Sequence, residues 1–269
     1  MPEILFGNSG TGIRKRNVVI NSPLEYKRMS DAEESHWWYL TLHKMVAKTI
    51  ARRYRDKEIN ILDAGCGTGG LLKHLSNQGY KNTFGFDVSS HAIAMARSKN
   101  IAAELLDIRS VCTRYKKASF DVIIANDVLY FPSRTELKPL LECFYSLLKK
   151  TGIVIINVPV LDVFTGEHDK LAGVNRRFTK TEVIELVQNT SFRLKRCGHW
   201  PFILSPVILA VRSFQRLRSQ LGIPPKDRSD IKPHSKITNT FLNMFCNLEV
   251  YSGLCFPFGS SIFALLAKE

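Results

Sequence analysis

Apolar positions along this chain follow two periods, and their alternation predicts an architecture. Short apolar runs that end in polar residues occupy positions 61–64, 83–88, 102–108, 120–127 and 152–159, and read as strands. Helical spacing fills the intervals, as at 71–78 and 92–98, where Ser89 or Ser90 supplies a cap. Strand and helix in turn predict a mostly parallel sheet with helices on both faces. Ser30-x-x-Glu33 reads as a capping box opening a helix to about residue 55. Thr179-x-x-Glu182 opens another, with Val183, Leu186 and Val187 on one face. Positions 192–198 and 260–268 read as two further strands, for seven in all. About sixty residues separate them, far more than a hairpin needs. In that insertion Ile203, Leu204, Val207, Val211, Phe214 and Leu217 recur at helical spacing, and so do Ile237, Phe241, Phe245 and Leu248. Gly222-Ile223-Pro224-Pro225 divides the two stripes. The chain thus divides into a poorly ordered lead-in (1–29), a core (30–199), a helical insertion (200–258) and a final core strand (259–269).

Chemistry concentrates where the first strand ends, at Asp63-Ala64-Gly65-Cys66-Gly67-Thr68-Gly69-Gly70. Glycine permits such a tight turn and lets a ligand lie against the backbone, while the following helix directs free N–H groups at it. Gly65, Gly67 and Gly70 satisfy the dinucleotide pattern G-x-G-x-x-G, which is weak evidence alone. Asp63 with Gly65, Gly67 and Gly69 satisfies D-x-G-x-G-x-G, the pattern of S-adenosylmethionine sites. A carboxylate two residues ahead of the turn repels a pyrophosphate and attracts an ammonium, by about 4 kcal/mol at ~4 Å and an effective dielectric near ~20 before desolvation. Asp87 ends the second strand twenty-two residues beyond Gly65, where a βαβ unit places an acceptor for ribose hydroxyls. Asp107, Asn126 and Asp127 end the next two strands. Ligands of open α/β sheets bind at that edge.

Residues 60–159 resemble the core of class I S-adenosylmethionine-dependent methyltransferases of the small-molecule type. The matching pieces are Leu62–Gly69, Gly85-Phe86-Asp87-Val88-Ser89, Leu106-Asp107-Ile108, Phe120-Asp121-Val122-Ile123 and the helix-Gly-strand step around Gly152. The flanks are similar to bacterial members acting in glycan or natural-product pathways: Glu33-Glu34-Ser35-His36-Trp37-Trp38-Tyr39, His168-Asp169-Lys170-Leu171, Arg176-Arg177-Phe178-Thr179, Leu248-Glu249 and Phe256-Pro257-Phe258-Gly259. The resemblance implies a Rossmann-like α/β fold of seven strands, mostly parallel, the last antiparallel. It implies that Gly65 and Gly67 approach the methionine part, that Asp63 binds its amino group and that Asp87 holds the ribose. Val88 and Ile108 then flank adenine, Asp107 accepts from its amine, and Asn126 lines the edge near the methyl group. Cys66 fills space within the loop, and Trp38 or Tyr39 closes over the cofactor.

A sulfonium methyl is already activated, so alignment and exclusion of water are the main demands, with a base needed for a hydroxyl or ammonium acceptor. His168, on the loop after strand five, is the first choice for base or acceptor-orienting group, followed by Asp127 and Tyr130. Arg176 and Arg177 are candidates for an acidic substrate group, or pair with the acid-rich edge. No metal cluster is expected. Six cysteines without C-x-x-C spacing read as reduced thiols of a cytoplasmic protein. No leader segment is expected. The net charge of +14 admits nucleic acid, an anionic membrane or an acidic substrate. Aromatics are not interleaved with the basic residues, which disfavours nucleic acid. The expected reaction is methyl transfer from S-adenosylmethionine, yielding S-adenosylhomocysteine, to an oxygen or nitrogen of a small apolar or acidic molecule. An RNA methyltransferase and a non-catalytic cofactor-binding protein are the alternatives. The insertion packs on the sheet, forms a substrate lid, or rests on a membrane with arginines toward head groups.

Overall fold

The computed structural model describes residues 23–165, 174, 176–221, 235–252 and 256–269. Seven strands form one sheet: β1 (Asn60–Ala64), β2 (Asn82–Asp87), β3 (Ala103–Leu105), β4 (Phe120–Asn126), β5 (Leu148–Pro159), β6 (Arg193–Trp200) and β7 (Ser261–Ala267). Their order is β3-β2-β1-β4-β5-β7-β6. The pairs from β3 through β5 are parallel, and β7 runs antiparallel to both β5 and β6. The Rossmann-like arrangement expected from the sequence is the one observed.

Both faces of the sheet are covered, which explains why the central strands are continuously apolar. On one face Leu62, Ile123, Val154 and Leu266 pack with Leu137, Leu141 and Phe144 of α6 (Arg134–Leu147) and Val183 and Val187 of α7 (Lys180–Gln188). On the other, Ile61, Ile124, Ile155 and Phe263 meet Leu42, Val46 and Ile50 of α2 (Trp37–Arg53) and Leu71 and Leu75 of α3 (Gly70–Asn77). Ser89 caps α4 (Ser90–Ser98) by accepting from the Ala92 N–H at 3.3 Å, and the Thr179–Glu182 capping box closes at the start of α7 as expected. A four-residue α5 (Val111–Arg114) follows β3.

Five expectations are corrected. The single helix over 30–55 is two: α1 (Pro23–Glu33) and α2, broken at residues 34–36, where the His36 ring accepts from the Trp38 N–H. Glu33 ends α1 instead of closing a capping box, because its carboxylate is drawn to Thr68 and Lys99. Residues 23–29, read as part of the lead-in, belong to α1; residues 1–22 lie outside the described residues. β3 stops at Leu105, since Asp107 caps a 3-10 turn by accepting from the Arg109 N–H at 2.8 Å. Cys112 and Cys143 are joined in a disulfide that ties α5 to α6; among the described residues Cys66 and Cys246 are free thiols. The sequence held no spacing signal for that bond, because the thiols lie on different helices, 31 residues apart.

The insertion forms the two expected helices, α8 (Ser205–Gln220) and α9 (Lys236–Ser252). Their apolar stripes do not pack on the sheet. Val207, Val211, Phe214, Ile237, Phe241 and Phe245 are exposed. The contacts run instead through Leu204, Ile208, Leu242 and Cys246, which gather on Trp37 and Trp38.

A disulfide closing a loop of this length is worth about 3.7 kcal/mol through the unfolded state. Peptide mapping of the purified chain without reductant is expected to recover the Cys112 and Cys143 peptides linked, with thermal stability falling on reduction. Recovery of both as free thiols refutes the bond.

Candidate active site

The strand order reverses between β1 and β4, so the crevice beyond their carboxyl ends is a topological switch point. The loop leaving β1 turns through Gly65, Gly67 and Gly69, all in the left-handed region at φ +79°, +53° and +83°. Gly65 also lacks room for a side chain, since a Cβ there would sit 2.7 Å from Val128. The Gly65 and Cys66 N–H groups donate to the Phe86 carbonyl at 2.9 Å, binding the loop to β2. Cys66 fills the gap opposite Gly85, and its thiol is held well above the ordinary range by burial, then by Asp63 and Asp87.

Acids crowd this loop. Asp87 accepts from the Gly67 N–H at 3.0 Å and from the Ser89 N–H at 2.9 Å, while burial raises its pKa. Asp63 is buried, and its pKa is pushed up to about 8, first by desolvation and then by Glu33 and Asp87. Glu33 arrives from α1: its carboxylate accepts from the Thr68 hydroxyl and from Lys99 Nζ at 3.2 Å, and burial raises its pKa as well. Three carboxylates with raised affinity for protons form an environment that favours a cation.

Helix α1 lies over the loop. Met29 Cε would be 2.8 Å from a Cβ at Gly67, and Glu33 would be 2.5 Å from one at Gly70. Tyr26 is buried near Asp87 and Ser89, with its phenol held protonated by desolvation above all. Sequence reasoning missed Tyr26, Met29, Glu33 and Lys99; three of them fall on a helix it read as a lead-in or as a cap.

At the end of β4, Asn126 Oδ1 is buried with no hydrogen-bond partner. Asp127 sits at φ +51°, its N–H donating to the Asn157 carbonyl at 2.8 Å and its Oδ2 accepting from Asn157 Nδ2 at 3.0 Å. Asn157 Oδ1 in turn accepts from the Trp200 indole at 2.7 Å. A fully buried asparagine inside an apolar strand was the available signal for this relay. Trp38 stacks on Trp200 at 5.4 Å, and Tyr39 meets Trp38 edge-on. The Tyr39 phenol is kept protonated by burial, then by Glu33 and Asp127. Trp38, Tyr39 and Asp127 therefore belong to one aromatic and polar wall.

The remaining candidates are placed as follows. Val88 is 60% exposed beyond β2, and Ile108 is buried in the 3-10 turn. The Asp107 carboxylate accepts from the Arg109 N–H and pairs with its guanidinium at 3.1 Å. Tyr130 is buried, its ring 4.4 Å from Phe131. Arg176 donates to the Leu129 and Pro132 carbonyls at 2.7 and 3.0 Å, and Arg177 to the Val160 carbonyl at 2.9 Å. Both arginines thus brace loops of the crevice. His168 lies outside the described residues. Among the described residues no group of His, Cys, Asp and Glu is arranged to hold a metal ion.

These features define the class: a Rossmann-like domain with an acidic, glycine-lined crevice at its switch point. The methyltransferase-domain family matches residues 55–206, and the chain belongs to that family. It is similar to a malonyl-[acyl-carrier protein] O-methyltransferase of Bacillus anthracis, 28% identical over 157 residues covering 56% of this chain and 58% of the relative. It is also similar to a dTDP-3-amino-3,6-dideoxy-alpha-D-glucopyranose N,N-dimethyltransferase of Streptomyces fradiae, 28% identical over 109 residues, 40% of this chain and 42% of the relative. The chain spans about half the length of the curated relatives it matches. Its fold is shared with the plantazolicin methyltransferase BpumL, solved with S-adenosylhomocysteine, at a TM-score of 0.58 and 17% identity over 94% of each chain.

The raised Asp63 pKa has a sign that can be checked. The folded chain keeps a proton that the unfolded chain releases at the ordinary carboxylate value of 3.8, so this group's contribution to stability is lost as pH rises toward about 8. Melting of the ligand-free protein is expected to shift downward from pH 5 to pH 8.5 by more than in Asp63→Asn. Parallel pH profiles for the two proteins would refute the assignment.

Proposed function

We propose that this chain transfers a methyl group from S-adenosylmethionine to an oxygen or nitrogen of a small-molecule acceptor, releasing S-adenosylhomocysteine. One observation carries the reading: Asp87, tied to the Gly67 and Ser89 amides, closes a glycine loop beside the buried Asp63. The residues present suit this cofactor. The acid cluster answers its ammonium and sulfonium charges, the glycine backbone leaves it close approach, and the orphaned Asn126 Oδ1 waits for a donor. Lone pairs of Asp87 not used by the loop amides accept from the ribose. Val88 and Ile108 supply apolar walls for the base.

Bound there, the cofactor supplies a methyl group already activated by its positive sulfur. The chain's own work is placement and exclusion of water. Helix α1 covers the crevice through Tyr26 and Met29. Tyr39, held protonated, is a hydrogen-bond donor and not a base. Asp127, fixed by Asn157 and Trp200, accepts a proton from or orients the acceptor at the end of β4. His168 keeps its candidacy for the same task from the loop after β5. The names of the two curated relatives, one a carboxyl and one an amino-sugar methyltransferase, support an oxygen or nitrogen acceptor.

Calorimetry is expected to show binding of S-adenosylhomocysteine, weakened at least about tenfold in Asp87→Ala, the scale of losing charge-assisted hydrogen bonds. Labelled S-adenosylmethionine should pass its methyl to a member of a panel of carboxylates and amino sugars. Absence of heat with this nucleoside, together with tight binding of a nicotinamide dinucleotide, would overturn the reading.

A further inference from the structure

Eleven of the eighteen exposed large apolar side chains among the described residues lie on or just after the two insertion helices: Val207, Val211, Phe214, Leu217 and Leu221 from α8, and Ile237, Phe241, Met244, Phe245, Leu248 and Tyr251 from α9. Each is between 40 and 71% exposed. Together they present apolar surface on the order of 1,000 Å², spread over the outer sides of two helices. Helical spacing collects each set on one side of its helix. The opposite sides are occupied: Arg216 donates to the Val163 carbonyl at 3.0 Å, and Cys246 and Leu242 pack beneath α9.

Exposed charge on the two helices themselves is one-signed. Residues 205–220 contain three arginines and no acid, and residues 236–252 contain a single acid, Glu249. That carboxylate is turned inward, where it accepts from the Phe202 N–H at 2.7 Å and from the Ile203 N–H. Along the edge of α9, Lys48 Nζ donates to the Val250 carbonyl at 3.1 Å and lies 4.2 Å over the Tyr251 ring, and Lys44 reaches Asn247. A shallow cleft opens beside them, away from the glycine loop, with Lys48, Arg52 and Arg196 in its lining next to Val250 and Phe256. Cationic groups thus border an apolar face that offers no exposed carboxylate.

We propose that the outward face of α8 and α9 docks on an anionic lipid bilayer, with its apolar side chains at the acyl boundary and Lys48 and Arg52 at the head groups. Amphipathic helices bind in this way, by apolar burial together with attraction to anionic lipid. Contact is interfacial, for no helix among the described residues is long and apolar enough to cross a membrane. A second copy of the chain suits the face less well. An isologous dimer sets the same patch against itself, so basic rim would meet basic rim with no exposed acid on these helices to pair. The proposal does not rest on methyl transfer.

Flotation of the full chain with vesicles tests it. Binding is expected to vesicles of phosphatidylcholine with phosphatidylglycerol, to be weak on phosphatidylcholine alone, and to fall as salt is added. The double variant Phe241→Glu, Phe245→Glu should partition at least about tenfold less, since two aromatic side chains lose their burial. Its circular dichroism and its S-adenosylhomocysteine heat should match the unaltered protein's. If that variant misfolds, Val211→Glu with Leu217→Glu on α8 reads the same loss. Equal or absent binding to both vesicle types overturns the proposal, as does undiminished binding by folded variants. A dimer in solution that ignores vesicles, and that these substitutions convert to monomer, would assign the face to a second copy instead.

Discussion

The crowding of three buried carboxyl groups under a glycine loop is the constraint on which this molecule's site depends. Glu33, Asp63 and Asp87 converge from three separate elements, and burial raises the proton affinity of each. Lys99 answers one of them, at 3.2 Å from Glu33. Removing carboxylates from water is costly, and their mutual repulsion adds to the cost unless protons or a cation relieve it. The fold holds the arrangement together with backbone amides: Gly67 and Ser89 fix Asp87, and the Phe86 carbonyl fixes the turn. A ligand that brings positive charge into this crevice meets an environment already arranged for it.

Topology places the other wall of the crevice. β1 and β4 diverge in their connections, and the residues beyond β4 are steered by Asn157 on the neighbouring strand. Because Asn157 is buried and satisfies both Asp127 and the Trp200 indole, it ties the β4 end to β6 across two strands. Trp200 then carries the stack with Trp38, and through it the start of α2. A polar relay in an apolar strand costs free energy unless every partner is present, so this one specifies geometry more than it stabilises. Arg176 and Arg177 act alike, each drawing a loop carbonyl toward the core's rim.

The sheet and the loop were legible because both rest on local rules. Strand runs, the glycines and the acids at strand ends each follow from spacing alone, and observed bounds differ from expected ones by a residue or two, except at β3 and at the start of β5, which begins four residues early. Asp107 shortened that strand by capping a turn, a local competition that periodicity does not register. Long-range pairings were not legible. Glu33 reads as a helix cap until Thr68 and Lys99 are brought beside it. Tyr26 and Met29 carry no motif, and they cover the loop only because α1 folds back over it. Cys112 and Cys143 meet through the packing of two helices, not through any spacing.

The insertion shows where amphipathic pattern stops informing. A 3.6-residue period states that one side of a helix is apolar, not that this side faces the protein. The sequence left open whether the stripe of Val207, Val211 and Phe214 packs on the sheet, forms a lid or meets a membrane. The structure turns it outward, and that orientation has identifiable anchors. Glu249 holds the backbone at Phe202 and Ile203, Leu204 and Ile208 lock against Leu242 and Cys246, and the Trp37 N–H donates to Asn239 Oδ1 at 2.7 Å. These contacts fix the rotation of both helices, with Leu204, Ile208, Leu242 and Cys246 inward. Val207, Val211, Phe214, Phe241 and Phe245 are then left outside, and Arg216 reaches in to Val163. A sequence that needed only a packed insertion would have placed every anchor on the apolar stripe. Here Leu204 alone comes from it and the other anchors occupy the other side, so the outward stripe is a property the packing enforces rather than one it failed to bury.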